Sequence, residues 1–156
     1  MLKTKKLVIV SHVPSVNTER MRDAVIRGAN NPEISNVNVR VIAPLDTRPE
    51  DIQTAQAIVI GTIENLGYMS GLTKDVFDRC YDPCLDTTQG LPFAFYVRAG
   101  RDGTGTRRAI ESIAKGLRWR LVQEPLVCKG AFDEEFIAQC EELGMSMAAG
   151  LEAGIY

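Results

Sequence analysis

Four short apolar runs and a fifth, weaker one punctuate the chain, each followed by polar residues and then by apolar positions at helical spacing. Leu7-Val8-Ile9-Val10 is continuous and β-branched, the mark of a strand covered on both faces. Met21, Ala24, Val25, Gly28 and Ala29 then line one face of a helix, which Asn30-Asn31-Pro32 stops. Val37, Val39, Val41 and Ile42 mark a second strand, and Ala57-Ile58-Val59-Ile60 a third that ends in Gly61-Thr62. Between them Asp51 to Gln56 is short for a full helix, so this crossover holds only a turn or two. A helix starting near Ser70 carries Leu72, Val76, Phe77 and Cys80 on its stripe; Cys80 and Cys84 would meet if it continued, but Pro83 argues that it does not. Phe93 to Val97 forms a fourth strand, entered through Pro92. The next helix buries Ala109, Ile110, Ile113, Ala114 and Leu117. Leu126-Val127-Cys128 forms a short fifth strand, and Phe136, Ile137, Cys140, Met147, Ala148 and Leu151 mark a last helix, with Gly144 interrupting it.

Alternating strands and helices imply right-handed βαβ crossovers and a parallel sheet with helices on both faces. Five strands fit a doubly wound sheet of order 2-1-3-4-5, whose switch point lies between strands 1 and 3. Ligands in such sheets bind outside the carboxyl ends of the strands. Three segments converge there: Ser11 to Thr18, Thr62 to Ser70, and Arg98 to Gly105. The 156 residues suit one domain, spanning 1–156, without linker or repeat.

Composition narrows the function. Hydrophobic residues make up 45% and charged residues 24%, as in a folded globular chain. With 18 Lys and Arg against 20 Asp and Glu, the net charge of −2 fits neither a nucleic-acid footprint nor a strongly acidic carrier. No apolar run reaches the roughly 20 residues of a membrane helix, and the stretch behind the basic start Met1–Lys6 is too short for a signal peptide. The expectation is a cytoplasmic protein that engages no membrane. Cys80, Cys84, Cys128 and Cys140 form no C-x-x-C pair and have no companion histidines at metal spacing, so they read as buried thiols.

The first loop places Ser11, Ser15, Asn17 and Thr18 before a helix N-terminus, where unpaired N–H groups and a positive dipole end suit an anion. It contains no Lys or Arg before Arg20 and so is not a Walker-type loop. Neutral donors of this kind suit a phosphate monoester, or the Asn or Thr is simply a helix cap.

The second loop is the most specific segment. Gly61-Thr62-Ile63-Glu64-Asn65-Leu66-Gly67-Tyr68-Met69-Ser70-Gly71, with the helix through Phe77-Asp78-Arg79, resembles the flavin loop of the flavodoxin family of NAD(P)H-dependent oxidoreductases. Ser15-Val16-Asn17-Thr18 resembles that family's phosphate loop, and Arg98 to Gly105 its third, isoalloxazine-flanking loop in position and glycine content. The resemblance covers about residues 7 to 130. It implies a flavodoxin-like three-layer sandwich that binds FMN. Ser15, Asn17 and Thr18 would hold the phosphate, with Ser11 or His12 beside it; Thr62, Glu64, Asn65, Leu66 and Gly67 would line the ring, and Arg98, Gly100 and Asp102 would close the other side. The redox chemistry would belong to the flavin, with NADH or NADPH as donor, a quinone or similar small molecule as acceptor, and a homo-oligomer as the expected assembly.

Single residues keep two readings. His12 is a flavin or phosphate contact or an exposed rim residue; Tyr68 stacks on the flavin or covers a helix or subunit contact. Arg98 and Arg101 bind a nucleotide phosphate or are surface charge, Glu64 and Asp102 tune the flavin or are solvated, and Trp119 is packing or interface. Ile63 stands where many relatives have Pro, and Val13 and Val16 replace hydroxylated or glycine residues, which implies weaker phosphate binding. A flavodoxin-type electron carrier is the alternative, although the modest charge and a third loop without aromatics favour the enzyme. A cofactor-free binding module keeps the fold and drops the flavin. A receiver domain would need acidic residues where Ser11-His12 and Gly61-Thr62 stand, and a low-molecular-weight phosphatase would need a Cys opening the first loop.

Overall fold

The computed structural model describes residues 4–156; Met1, Leu2 and Lys3 of the basic start lie outside that range. Strands β1 (Lys5–Ser11), β2 (Val37–Ile42), β3 (Ala57–Asn65) and β5 (Pro92–Ala99) pair in parallel in the order β2-β1-β3-β5. The register runs Leu7 beside Val39 and Ala57, and Ile60 beside Phe95. The fifth position is shared by two short strands, β6 (Arg120–Leu121) and β7 (Leu126–Lys129), which pair with the start and the end of β5. Pro125, which has no N–H to donate, sits in the gap between them. Five sheet positions in the order expected are therefore present. A seventh strand, β4 (Tyr68–Met69), folds back antiparallel on the end of β3.

Because side chains alternate along a strand, β1 sends Leu7 and Ile9 to one face and Val8 and Val10 to the other. Helices α1 (Val16–Ala29) and α5 (Glu135–Ala153) cover the first face over Ala57, Val59, Ala94 and Tyr96. The short α2 (Pro49–Gln53), α3 (Gly71–Leu85) and α4 (Thr104–Gly116) cover the second over Ile58, Ile60, Phe93 and Phe95. The second layer is aromatic: Phe93 and Trp119 have ring centroids 5.6 Å apart, and Trp119 Nε1 donates to Thr88 Oγ1 at 2.8 Å. Trp119 is thus core packing. Burial of such a side chain contributes on the order of 2–3 kcal/mol.

The first layer relies on small residues instead. A Cβ on Gly28 would stand 1.9 Å from the Glu141 carbonyl oxygen, and one on Gly144 would stand 2.0 Å from that of Val25. The two glycines let α1 and α5 meet backbone to backbone. Gly144 therefore does not interrupt the last helix, as its sequence position implied, but seats it.

Pro83 likewise fails to stop α3, which runs on to Leu85. Side chains satisfy the carbonyls of this last turn: Thr87 and Gln53 donate to Pro83 O, Thr88 to Cys84 O and Arg118 to Leu85 O. Cys80 and Cys84 consequently share the buried face one turn apart, and burial pushes the Cys84 thiol up to about 11. All four cysteines are free and buried. Among the described residues no cluster of three His, Cys, Asp or Glu side chains converges, and no helix is long and apolar enough to cross a membrane.

Candidate functional site

The loops after β1, β3 and β5 meet at the carboxyl edge and are hydrogen-bonded to one another. His12 of the first loop contacts Ser70 of the second through Nδ1 and Oγ at 2.9 Å. Glu64 of the second accepts from the Arg101 backbone N–H of the third at 3.1 Å.

In the first loop, Ser15 is the N-cap of α1. Its Oγ accepts from the Thr18 N–H at 3.2 Å, while Thr18 Oγ1 accepts from the Ser15 N–H at 3.0 Å, a reciprocal capping box. The first helical carbonyl bond begins at Glu19, so the N–H groups of Val16 and Asn17 have no partner among the described residues. Val16 is 75% exposed. The helix end thus combines neutral hydroxyls, two unengaged N–H groups and the positive end of the dipole. Asn17 Oδ1 accepts from Arg20, whose other bonds go to Glu134.

Ser11 stands apart from this set. Its hydroxyl is 2.9 Å from Tyr96 Oη and is buried under the sheet. Strand alternation put it there, on the face of Leu7 and Ile9, so only its backbone is available at the edge. Burial holds the Tyr96 phenol well above its ordinary value, so Tyr96 stays protonated in neutral solution.

The second segment, expected as a loop, is a hairpin. Glu64 pairs with Met69 and Asn65 with Tyr68, leaving Leu66-Gly67 as a two-residue turn with φ of 54° and 76°. Turns with two positive φ values match the twist of paired strands. A leucine there costs roughly 1–2 kcal/mol, and a side chain chosen for folding alone would be Asn or Asp. Leu66 is fully exposed at the tip and Tyr68 half-exposed beside it, while Met69 is buried in the aromatic layer. Thr62, beneath the hairpin, is buried and donates to the Ile63 carbonyl.

The third loop is largely engaged. Asp102 Oδ1 accepts from the Thr104 N–H at 3.1 Å, beside a left-handed Gly103 at the N-cap of α4. The hairpin tip leans on this helix: a Cβ on Gly105 would meet the Gly67 carbonyl at 2.0 Å. The Arg98 guanidinium does not face the edge. It donates to the carbonyls of Ala99, Cys128 and Gly130 at 2.8, 3.0 and 2.7 Å and lies over the rings of Phe132 and Phe136. It latches β5 to β7 and is unavailable to a nucleotide phosphate. Gly100, Arg101 and Asp102 remain exposed.

The structure therefore brings His12, Ser15, Asn17, Thr18, Thr62, Glu64, Asn65, Leu66, Gly67, Gly100 and Asp102 to one edge, and turns the side chains of Ser11 and Arg98 away from it. It adds Ser70 and Thr73, whose hydroxyls are buried and 2.8 Å apart. Ser70 caps α3, a role that its place before Gly71 and a helical stripe marks in sequence. His12 is partly buried, and burial lowers its pKa from the ordinary 6.5, leaving it neutral at pH 7.

No family model and no curated protein matches this chain. Solved structures do. A flavodoxin from the domain Archaea aligns with a TM-score of 0.77 over 94% of this chain and 98% of its own, at 21% identity. A flavodoxin, WrbA-like protein from Agrobacterium tumefaciens gives 0.76 over 96% and 98%, at 18% identity. The apo form of an NADH:FMN oxidoreductase gives 0.73 over 94% and 90%, at 14% identity. The chain has the flavodoxin-like fold.

Proposed function

We propose that this chain binds FMN at the joined loops and acts as an oxidoreductase, passing electrons from NADH or NADPH to a quinone or similar small acceptor. The observation that carries the reading is the N-terminus of α1, where two unpartnered N–H groups and a hydroxyl capping box lie at the switch point of a doubly wound sheet. That donor set fits a phosphate monoester without a lysine. The exposed Leu66 and Tyr68 fit the ring system, offering apolar surface within reach of polar backbone. In this reading Val16, Asn17 and the Ser15–Thr18 box hold the phosphate. The hairpin backbone from Thr62 to Gly67 lines the ring edge, and Gly100 and Asp102 border its other side. Bound FMN would supply hydride acceptance and one- or two-electron delivery, and the protein's part is to hold and orient it. The NADH:FMN oxidoreductase and flavodoxin neighbours support flavin use by analogy of fold.

The electron carrier is the second reading, because the commitment of Arg98 to carbonyls leaves Arg101 as the one third-loop cation for a nucleotide phosphate. Visible absorption of the purified protein after FMN is added and the excess removed tests both. A retained flavin spectrum that NADH or NADPH bleaches anaerobically supports the enzyme. Retained flavin that neither nucleotide reduces supports the carrier, and failure to retain flavin contradicts both.

A further inference from the structure

A chain of hydroxyls joins the two loops, and counting its protons determines its direction. Thr62 Oγ1 lies 3.1 Å from the Ile63 carbonyl, Thr73 Oγ1 2.8 Å from Thr62 Oγ1, Ser70 Oγ 2.8 Å from Thr73 Oγ1, and His12 Nδ1 2.9 Å from Ser70 Oγ. The carbonyl has no proton and each hydroxyl has one, so four contacts share three hydroxyl protons. The fourth must come from the imidazole. Acceptor counting agrees. Ser70 Oγ also accepts from the Thr73 N–H, and Thr62 Oγ1 from the Ser70 N–H, each at 3.4 Å. With His12 donating to Ser70, Ser70 to Thr73, Thr73 to Thr62 and Thr62 to Ile63, both oxygens have one donor and two acceptor bonds filled. The remaining 3.3 Å approach of Thr62 Oγ1 to Ser70 Oγ needs no proton of its own.

We propose that this chain locks neutral His12 as its Nδ1–H tautomer, so that Nε2 is an unprotonated nitrogen in the first loop whose protonation couples phosphate-ester binding at α1 to pH. The coupling half rests on the functional reading above; the tautomer half does not. Protonation of Nε2 leaves the bond to Ser70 intact, so acid adds a positive charge to the first loop, on the residue four positions before Val16 at the start of α1, without breaking that bond. The ionisable groups at the edge end of the elements that meet there are Glu19 and Arg20 on α1, Glu64 and Tyr68 on the hairpin, Lys74 and Asp75 on α3, Arg101 and Asp102 in the third loop and Tyr96 below β1. None of them shifts His12, on which burial alone acts.

Long-range proton–nitrogen NMR of the imidazole in the intact protein reads the tautomer directly. The expected spectrum has a protonated Nδ1 and a bare Nε2, and Ser70→Ala should release the lock into a tautomer mixture. A protonated Nε2 in the neutral form overturns the proposal. Titrating the ring protons without and with FMN reads the coupling, with an expected rise in the His12 pKa of about one unit on binding, equal to about tenfold tighter binding at acid pH. The FMN phosphate itself titrates near 6, so fluorescence titration of His12→Gln over the same range provides the background, and the tenfold component should be absent there. An unchanged or lowered His12 pKa with FMN bound overturns the coupling. If FMN does not bind, the functional reading and the coupling fall together, and the tautomer spectrum still decides the rest.

Discussion

Of the helices that begin at the carboxyl edge of the sheet, α1 and α4 terminate their backbones differently. The N-terminus of α4 follows a left-handed glycine, takes the Asp102 carboxylate onto its first N–H, and has the Gly67 carbonyl of the hairpin against it. An acidic side chain already answers its positive end. The N-terminus of α1 is capped only by the neutral hydroxyls of Ser15 and Thr18, with Val16 and Asn17 N–H groups unengaged. Its first-turn acid, Glu19, is exposed and 3.8 Å from Arg22. Two helix ends that look alike on a topology diagram thus differ in what they can still accept. Position at the switch point makes a site possible; the identity of the cap decides which end an external anion can use.

The contrast can be broken at several places. Gly144→Ala removes the seat of α1, because its Cβ would meet the Val25 backbone, which cannot yield. Overpacking of this kind should cost about 3 kcal/mol and lower the melting temperature by roughly 6–12 °C in a calorimetric scan. Gly105→Ala pushes on the hairpin instead, which can lift, so the loss should be about 2 kcal/mol by chemical denaturation. Faster amide exchange should then appear at Tyr68 and Met69 and not along α1. Arg98→Ala unlatches β5 from β7 by removing the guanidinium bonds to the Ala99, Cys128 and Gly130 carbonyls, of which Ala99 keeps the Gly130 N–H, at about 1.5 kcal/mol by the same denaturation measurement. FMN affinity should stay within twofold, since the guanidinium does not face the site; a tenfold loss would restore Arg98 as a ligand contact. Ser15→Ala should cost about 1 kcal/mol as a lost cap, yet weaken FMN binding measured by fluorescence quenching more than Arg98→Ala does.

Most of the sheet was legible in the sequence because buried parallel strands read as unbroken apolar runs such as Leu7–Val10 and Ala57–Ile60. The short crossover before β3 and the grouping of the three loops followed from local signals of the same kind, whereas α1 begins at Val16, inside the polar stretch that the pattern assigns to the preceding loop, and its cap is Ser15 rather than an Asn or Thr. What escaped depended on partners distant in sequence. Nothing near Pro83 announces that Thr87, Thr88 and Arg118 satisfy the end of α3. The hairpin was hidden because Leu66-Gly67 lacks the Asn or Asp that usually marks such a turn. Arg98 bonds to backbone carbonyls, which leave no trace in residue type. Ser11 could have been placed, since the alternation that buries Leu7 and Ile9 carries it under the sheet. A polar residue that continues a strand's inward face is better assigned to the core than to the loop it precedes.

Backbone amide NMR during FMN titration tests the central distinction between the two helix ends most directly. The account predicts saturable shifts largest at Val16 and Asn17, with Thr104 and Gly105 moving little and riboflavin, which lacks the phosphate, leaving Val16 and Asn17 nearly unmoved. Shifts centred on Gly105, or equal responses to FMN and riboflavin at α1, would contradict it.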